Sequence, residues 1–229
     1  MEYVKQSLKK HCDALGIPLE VITVDRDDTG WRIGQKVFQR PESAALELFR
    51  QDGWEGTDIE GGPITMAIKC AGFGWLAEHN LFQTRLDAIR DAPISAIVRH
   101  PDKLDSFFEE VETCSLEIYR EHFSEIYSDP IVRSFYPNLN IDFMAKFFTA
   151  LGPKLGQIAR IFTQNPGEYR LGWPDLCLVK DGTTQFVEIK TTDNIHRSQY
   201  VTISSIIIPI GLTAKVLKLS PSLNDRLLQ

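Results

Sequence analysis

Asp175, Glu188 and Lys190 are the residues of this chain whose types and spacing suit hydrolytic chemistry. Hydrolysing a phosphodiester needs a cation that neutralises developing charge and acidifies the attacking water, so carboxylates must converge on one point. Asp175 follows Gly172-Trp173-Pro174 at the mouth of the apolar run Leu176-Cys177-Leu178-Val179. Glu188 lies near the end of Gln185-Phe186-Val187-Glu188-Ile189-Lys190, where polar and apolar residues alternate. Between them, Lys180-Asp181-Gly182-Thr183 carries the Asp-Gly pair of a tight hairpin, and antiparallel pairing brings Asp175 and Glu188 together. Lys190, two residues beyond Glu188, leaves the same face of the strand, where an ammonium can orient a water and offset charge on a phosphate. The same residues also fit an ordinary turn acid and a solvated cross-strand pair, and spacing alone does not separate the two readings.

Two more side chains are candidates. Glu60, in Asp58-Ile59-Glu60-Gly61-Gly62, is a carboxylate amid glycines, which a ligand can approach closely because no Cβ obstructs the backbone. It reads equally as a surface-loop acid at a helix start. Gln199 opens a helical pattern and can reach toward the hairpin edge to hold substrate or water, or else stand exposed at the helix start.

The elements that must position these residues can be read coarsely. The spacing of Tyr3, Val4, Leu8, Cys12 and Leu15 predicts a helix over Glu2 to Leu15, ending at Gly16-Ile17-Pro18. Leu19 to Val24 is β-rich and Asp25 to Gly30 is turn-like. Pro41 and Glu42 suit the start of a helix that runs to Gly53. After the glycine-rich stretch Gly53 to Gly62, a mostly apolar helix is expected from Pro63 to about Phe82. From about Thr84 to Phe162 the pattern stays helical, and Pro93, Pro101, Pro130, Pro137 and Pro153 divide it into short helices. The last third reads as strand, strand, helix, strand: the hairpin, a helix over Gln199 to Ile208 stopped by Gly211, and a closing strand over Thr213 to Leu219.

Composition excludes several classes. With hydrophobic residues at 43% and charged residues at 24% the chain is globular in make-up rather than disordered. Its longest apolar run, Ile206 to Leu212, is broken by Pro209 and Gly211 and is far short of the ~20 residues that span a bilayer. No signal-peptide pattern opens the chain, so no membrane partner is expected, and the expected location is cytoplasmic (nucleoid-associated) or otherwise intracellular. Cys12, Cys70, Cys114 and Cys177 form no CxxC pair and read as free buried thiols. The net charge of −6 requires that any nucleic-acid face be a local concentration of basic residues. Lys146, Lys154, Arg160 and Arg170 make the segment before the hairpin locally basic, a candidate phosphate track.

Taken together, Gly172-Trp173-Pro174-Asp175-Leu176, then Phe186-Val187-Glu188-Ile189-Lys190, then Gln199 resembles the VRR-NUC (virus-type replication-repair nuclease) domain of the PD-(D/E)xK superfamily. The similarity continues upstream in constant order through Glu42 to Phe49, Gly53-Trp54, Glu60-Gly61, Arg85 to Ile89, Asp91-Ala92-Pro93 and Leu151-Gly152, and there it is nearest to the nuclease domain of the Fanconi-associated type. It covers the chain from about Arg40 to Leu219.

The resemblance implies an α/β fold, a restriction-endonuclease-like PD-(D/E)xK core with a helical insertion. An N-terminal helix and strand extension would occupy 1–40 and the nuclease domain 41–229, with the insertion at about 81–162 and the catalytic hairpin at 172–190. It implies Glu60, Asp175 and Glu188 as metal ligands, the Ile189 carbonyl as a further ligand, Lys190 as the catalytic lysine and Gln199 as a glutamine of the following helix. The expected cofactor is Mg²⁺ or Mn²⁺, consistent with hard oxygen ligands. The expected activity is cleavage of flap-like or branched DNA in DNA repair. Minimal members lack the insertion and pair as homodimers that resolve four-way junctions, so a chain with the insertion is expected to act as a monomer. A junction-resolving homodimer and a DNA-binding module of the same fold without catalysis are the alternatives. Thr191-Thr192 stands where the family has Gly-Pro, so the loop beside the site is expected to differ.

Overall fold

In the computed structural model the first helix, α1, spans Leu8–Leu15 rather than starting at Glu2. The structure describes residues 3–192 and 194–222; Glu2 and the outer limits of the chain at 1 and 229 lie outside these. β-Branched residues favour a pleated, half-buried surface, and the run through Val21, Ile22, Thr23 and Val24 forms β1 (Leu19–Asp27), longer than the sequence suggests. The expected turn is the tip of a hairpin: the chain reverses at Asp28-Thr29 into β2 (Gly30–Ile33) and again into β3 (Lys36–Phe38). Strands this short show no readable alternation, and Trp31 and Ile33 are their buried residues.

Helix α2 (Pro41–Gln51) starts with proline at its first turn, where a missing N–H costs nothing, and buries Ala44, Ala45, Leu46 and Phe49. A short strand, β4 (Glu55–Thr57), then crosses the glycine-rich stretch expected to be loop.

Residues Gly61–Leu171 form a compact unit of helices. The single helix expected from Pro63 to Phe82 is two, α3 (Gly62–Ala71) and α4 (Phe73–His79). They break at Gly72, over which the Phe107 ring packs so closely that a Cβ would collide with it. Then follow α5 (Arg85–Arg90), α6 (Pro93–Arg99), α7 (Leu104–Thr113) and α8 (Leu116–Ser128). The unit closes with α9 (Pro130–Phe135), α10 (Ile141–Leu151), α11 (Lys154–Phe162) and α12 (Pro166–Tyr169). Prolines at the first helical position open α6, α9 and α12, while Thr84, Ser115, Asp129 and Asn140 cap helix N–H groups. The unit begins one residue before α3, well ahead of residue 81, because α3 is apolar almost all round and packs among α7, α8 and α10.

The chain then returns through β5 (Leu176–Lys180), β6 (Thr183–Lys190), α13 (Arg197–Thr202) and β7 (Thr213–Pro221). The helix expected from Gln199 to Ile208 starts two residues earlier and turns into a π-helical turn over Ile203–Ile207. With the segment up to Glu60 these elements make the second compact unit, a mixed α/β body around one seven-stranded sheet. Its order is β3-β2-β1-β7-β6-β5-β4, with β7 parallel to both β1 and β6 and the remaining pairs antiparallel.

Helix α2 lays its apolar face on Leu176, Leu178, Val187, Ile189, Leu217 and Leu219. Because side chains alternate across a strand, Glu188 and Lys190 leave the opposite face of β6, toward α13. Among the described residues no helix is long and apolar enough to cross a membrane. All four cysteines are free; Cys12, Cys70 and Cys177 are buried and Cys114 is half-buried.

Candidate active site

Asp181 and Gly182 both take positive φ, 50° and 72°, the backbone of a two-residue hairpin turn whose twist matches its strands. That turn fixes the register from Lys180 opposite Thr183 to Leu176 opposite Val187. One step further along the same ladder, Asp175 faces Glu188. Asp175 Oδ2 accepts the Ile189 N–H at 2.8 Å, so the acid is tied to the neighbouring strand just past the end of β5.

Gly172 sets the approach to that acid. Its φ of +78° favours glycine, and any Cβ there would collide with the Ser198 backbone. Trp173 is buried beside Phe186, with ring centroids 6.0 Å apart. The Gly-Trp-Pro segment is thereby clamped between the first turn of α13 and β6.

Lys190 is 4% exposed and Glu188 0%. The Lys190 Nζ lies 2.8 Å from Glu188 Oε1 and donates to Gln199 Oε1 at 3.2 Å. The Glu188 contact is an ion pair without hydrogen-bond alignment, and both Glu188 oxygens lack a hydrogen-bond donor among the described residues. Gln199 Oε1 also accepts the His196 N–H at 2.9 Å, closing a capping box. Gln199 is therefore the buried third residue of α13, not an exposed residue at its start, and it pins the helix end to the lysine.

Bracing comes from the N-terminal segment: Tyr3 Oη donates to the Ile195 carbonyl at 3.2 Å, and the rings of Tyr3, buried His11 and Tyr200 cluster with centroids 5.2 to 5.7 Å apart. Sequence spacing gave no sign of this role, since it joins residues almost two hundred positions apart.

The electrostatics follow from burial. Glu188 is pushed well above the usual carboxylate range, first by burial and then by the charge of Asp175, with Lys190 opposing. Asp175 is also raised by burial, against the lowering effect of the Ile189 N–H, and the negative charge of Glu42 raises it further. The charge of Glu42 thus reaches Asp175, although its sequence position marks it only as a helix-start acid. It pairs with Arg40 at 3.3 Å, while the adjacent Ser43 hydroxyl donates to Asp58 at 2.6 Å, so the start of α2 faces the end of β4.

Three acidic groups were expected to converge, and two do. Among the described residues no group of three or more His, Cys, Asp or Glu side chains gathers closely enough to hold a metal. Glu60 is exposed in the turn after β4. Thr57 pairs with Cys177, so Glu60 and Asp175 do leave the sheet at the same end. The expected basic track is also reduced: Arg160 is taken by Glu112 at 2.8 Å and by the Phe108 ring.

Two facing carboxylates at the end of a hairpin, one fully buried with both oxygens undonated, form an all-oxygen donor set that favours a hard divalent cation. The charge of Asp175 raises Glu188, and a bound cation would offset that charge. The residues present fit such an ion.

No family model matches the chain, and no curated protein matches it. Among solved structures the chain is similar to paFAN1 bound to DNA with a two-nucleotide 5′ flap and a gap, with TM-score 0.61 and 14% identity over 93% of this chain and 41% of that one. A second structure, paFAN1 bound to DNA with a one-nucleotide 5′ flap and a gap, gives TM-score 0.64 and 14% identity over 91% of this chain and 38% of that one. The likeness is one of fold, and the chain spans about two fifths of the protein that it matches.

Proposed function

We propose that this chain is a divalent-cation-dependent nuclease that hydrolyses phosphodiester bonds in flap-like or branched DNA. The observation that carries the reading is the Asp175–Glu188 pair at the end of the hairpin with the Lys190 ammonium 2.8 Å from Glu188. The fold shared with paFAN1, whose structures hold flap DNA, and the VRR-NUC-like order of motifs support the same reading.

Asp175, Glu188, Glu60 and the Ile189 carbonyl would hold Mg²⁺ or Mn²⁺, which when bound supplies charge neutralisation and a more acidic water. Lys190, held by Gln199, keeps a positive charge beside the carboxylates, where it would orient the attacking water and offset charge on the phosphate. Burial lowers the local dielectric, so electrostatic contacts made there are stronger than at a surface. On this reading the sheet and α2 would be a restriction-endonuclease-like core, and the helices within about 81–162 the insertion of a monomeric enzyme that acts on flaps in DNA repair.

Labelled flap, splayed-arm, four-way and single-stranded DNAs incubated with Mn²⁺ and with chelator test the reading. Cation-dependent cutting of the flap by wild type, and none by Asp175→Asn, is expected. Equal cutting by both proteins, or none with any cation, would remove it. Gel filtration with and without branched DNA separates the monomer from a junction-resolving pair.

A further inference from the structure

The helical unit carries a second place where chemistry is concentrated. Lys69, Arg90, Asp91, Ala92, Pro93, Val132, Phe135 and Tyr136 line a cavity of about 330 Å³ formed by α3, the α5–α6 junction and α9. Ligand sites of small molecules commonly measure about 300–1,000 Å³, so this one has room for one compact molecule.

Two cations there are arranged differently from surface charges. Lys69 is 5% exposed, and its ammonium donates to the Ile89 and Asp91 carbonyls at 2.5 and 2.8 Å, which caps the end of α5. Two carbonyls take two of its three protons and supply no full negative charge. The charges of Asp91 and Asp129 act on it, but among the described residues neither carboxylate is paired with it directly, so the buried ammonium at the cavity wall keeps a proton for a further acceptor. Burial lowers its pKa to about 8, which leaves it mostly protonated at neutral pH. Among the described residues Arg90 bonds through its Nε, to Asp129 at 3.0 Å, which leaves its two terminal amino groups for an anion.

The rest of the lining is flat and apolar. The Phe135 ring is 70% exposed at the rim, beside Tyr136, Val132 and Pro93. An exposed aromatic next to two cations is the pairing that takes a base on its ring and a phosphate on its charges. Asp91, exposed at the mouth, suits a hydroxyl or exocyclic amino donor and excludes a second phosphate.

We propose that this cavity binds a single nucleotide, with its phosphate on Lys69 and Arg90 and its base on Phe135. The nucleotide is either free or an unpaired residue of a DNA strand. Choosing a nucleotide over another aromatic anion rests on the nuclease reading. Binding is therefore measured in chelator, where cleavage plays no part and the two can fail separately.

Calorimetric titration of the full chain with dTMP, thymidine, inorganic phosphate and phenyl phosphate tests the site. Saturable dTMP binding is expected, with thymidine and phosphate each at least about tenfold weaker. Phe135→Ala and Arg90→Gln lie at the surface, and each should weaken dTMP about tenfold, the scale of one stacking or charge-assisted contact, with the fold retained by circular dichroism. Anisotropy with flap DNA then distinguishes the sources. If the ligand is an unpaired DNA residue, both variants lose affinity for the flap, and on a flap with an abasic residue at its tip Phe135→Ala makes no further difference while Arg90→Gln still does. If it is a free nucleotide, DNA binding does not change. Absence of saturation by dTMP, tighter binding of phenyl phosphate, or equal dTMP binding by wild type and variants overturns the proposal.

Discussion

Asp175 stands across the β5–β6 ladder from Glu188, and its Oδ2 receives the N–H of Ile189, the residue next to that partner. Two carboxylates are thus held face to face by main-chain geometry, with Lys190 against the buried one. Burial and the charge of Asp175 both disfavour ionised Glu188, and a cation bound at the pair would offset them.

A cation should stabilise the protein more at high pH than at low. Both carboxyls are raised in the folded state, so the fold holds protons that the unfolded chain, titrating near about 4.3, has lost. Their contribution is fully present below that unfolded value and is lost as pH rises through the raised values. A divalent ion binds the ionised pair, so the rise in Tm on adding Mn²⁺ should be small near pH 5 and larger near pH 8. A shift that shrinks with rising pH would count against an ion at this pair.

Lys190→Met should lower cation-dependent cleavage by at least about 10²-fold, the scale of losing one preorganised charge at a reacting centre. Circular dichroism should show the fold retained. Single-turnover rates with saturating DNA make the measurement, and a loss appearing only in DNA affinity would mean that the lysine binds rather than assists.

Gln199→Ala removes the buried acceptor shared by the His196 N–H and the Lys190 ammonium. Denaturant titration should show a cost of about 1–3 kcal/mol. Cleavage should also slow, because the lysine loses its anchor. Unchanged stability would mean that water replaces the amide.

Gly172→Ala combines a positive φ with a collision against the Ser198 backbone. The expected destabilisation is about 2–4 kcal/mol, from left-handed strain plus overpacking. Because the displaced segment carries Asp175, the Mn²⁺ concentration for half-maximal cleavage should rise as well.

Glu60→Gln and Glu42→Gln together decide which acid completes the ion's ligand set. If Glu60 supplies a ligand, its variant should need about tenfold more Mn²⁺, while Glu42→Gln leaves the requirement nearly unchanged. The reverse result would assign the third carboxylate to α2, whose first turn already acts on Asp175.

The hairpin, its turn and the facing of Asp175 and Glu188 were legible in the sequence because they depend on local rules: an Asp-Gly turn with two positive φ values, alternation along β6, and a register counted from the turn. The proline-started helices were legible for the same reason. By contrast, β2, β3 and β4 are three or four residues long, too short for alternation to announce them, and β4 exists by pairing with β5, which is distant in sequence. The boundary at Gly61 depends on where α3 buries its apolar surface, which periodicity within α3 does not tell.

Sequence by itself determined which groups can do the chemistry, since acid, acid and amine at fixed strand spacing follow from covalent order and the two-residue repeat of a β-strand. Tertiary structure decided their company. It buried Gln199 against Lys190, brought Glu42 to bear on Asp175, left Glu60 exposed in its turn and stripped Glu188 of donors. Each of those outcomes is set by packing and desolvation between segments that meet only when the chain is folded.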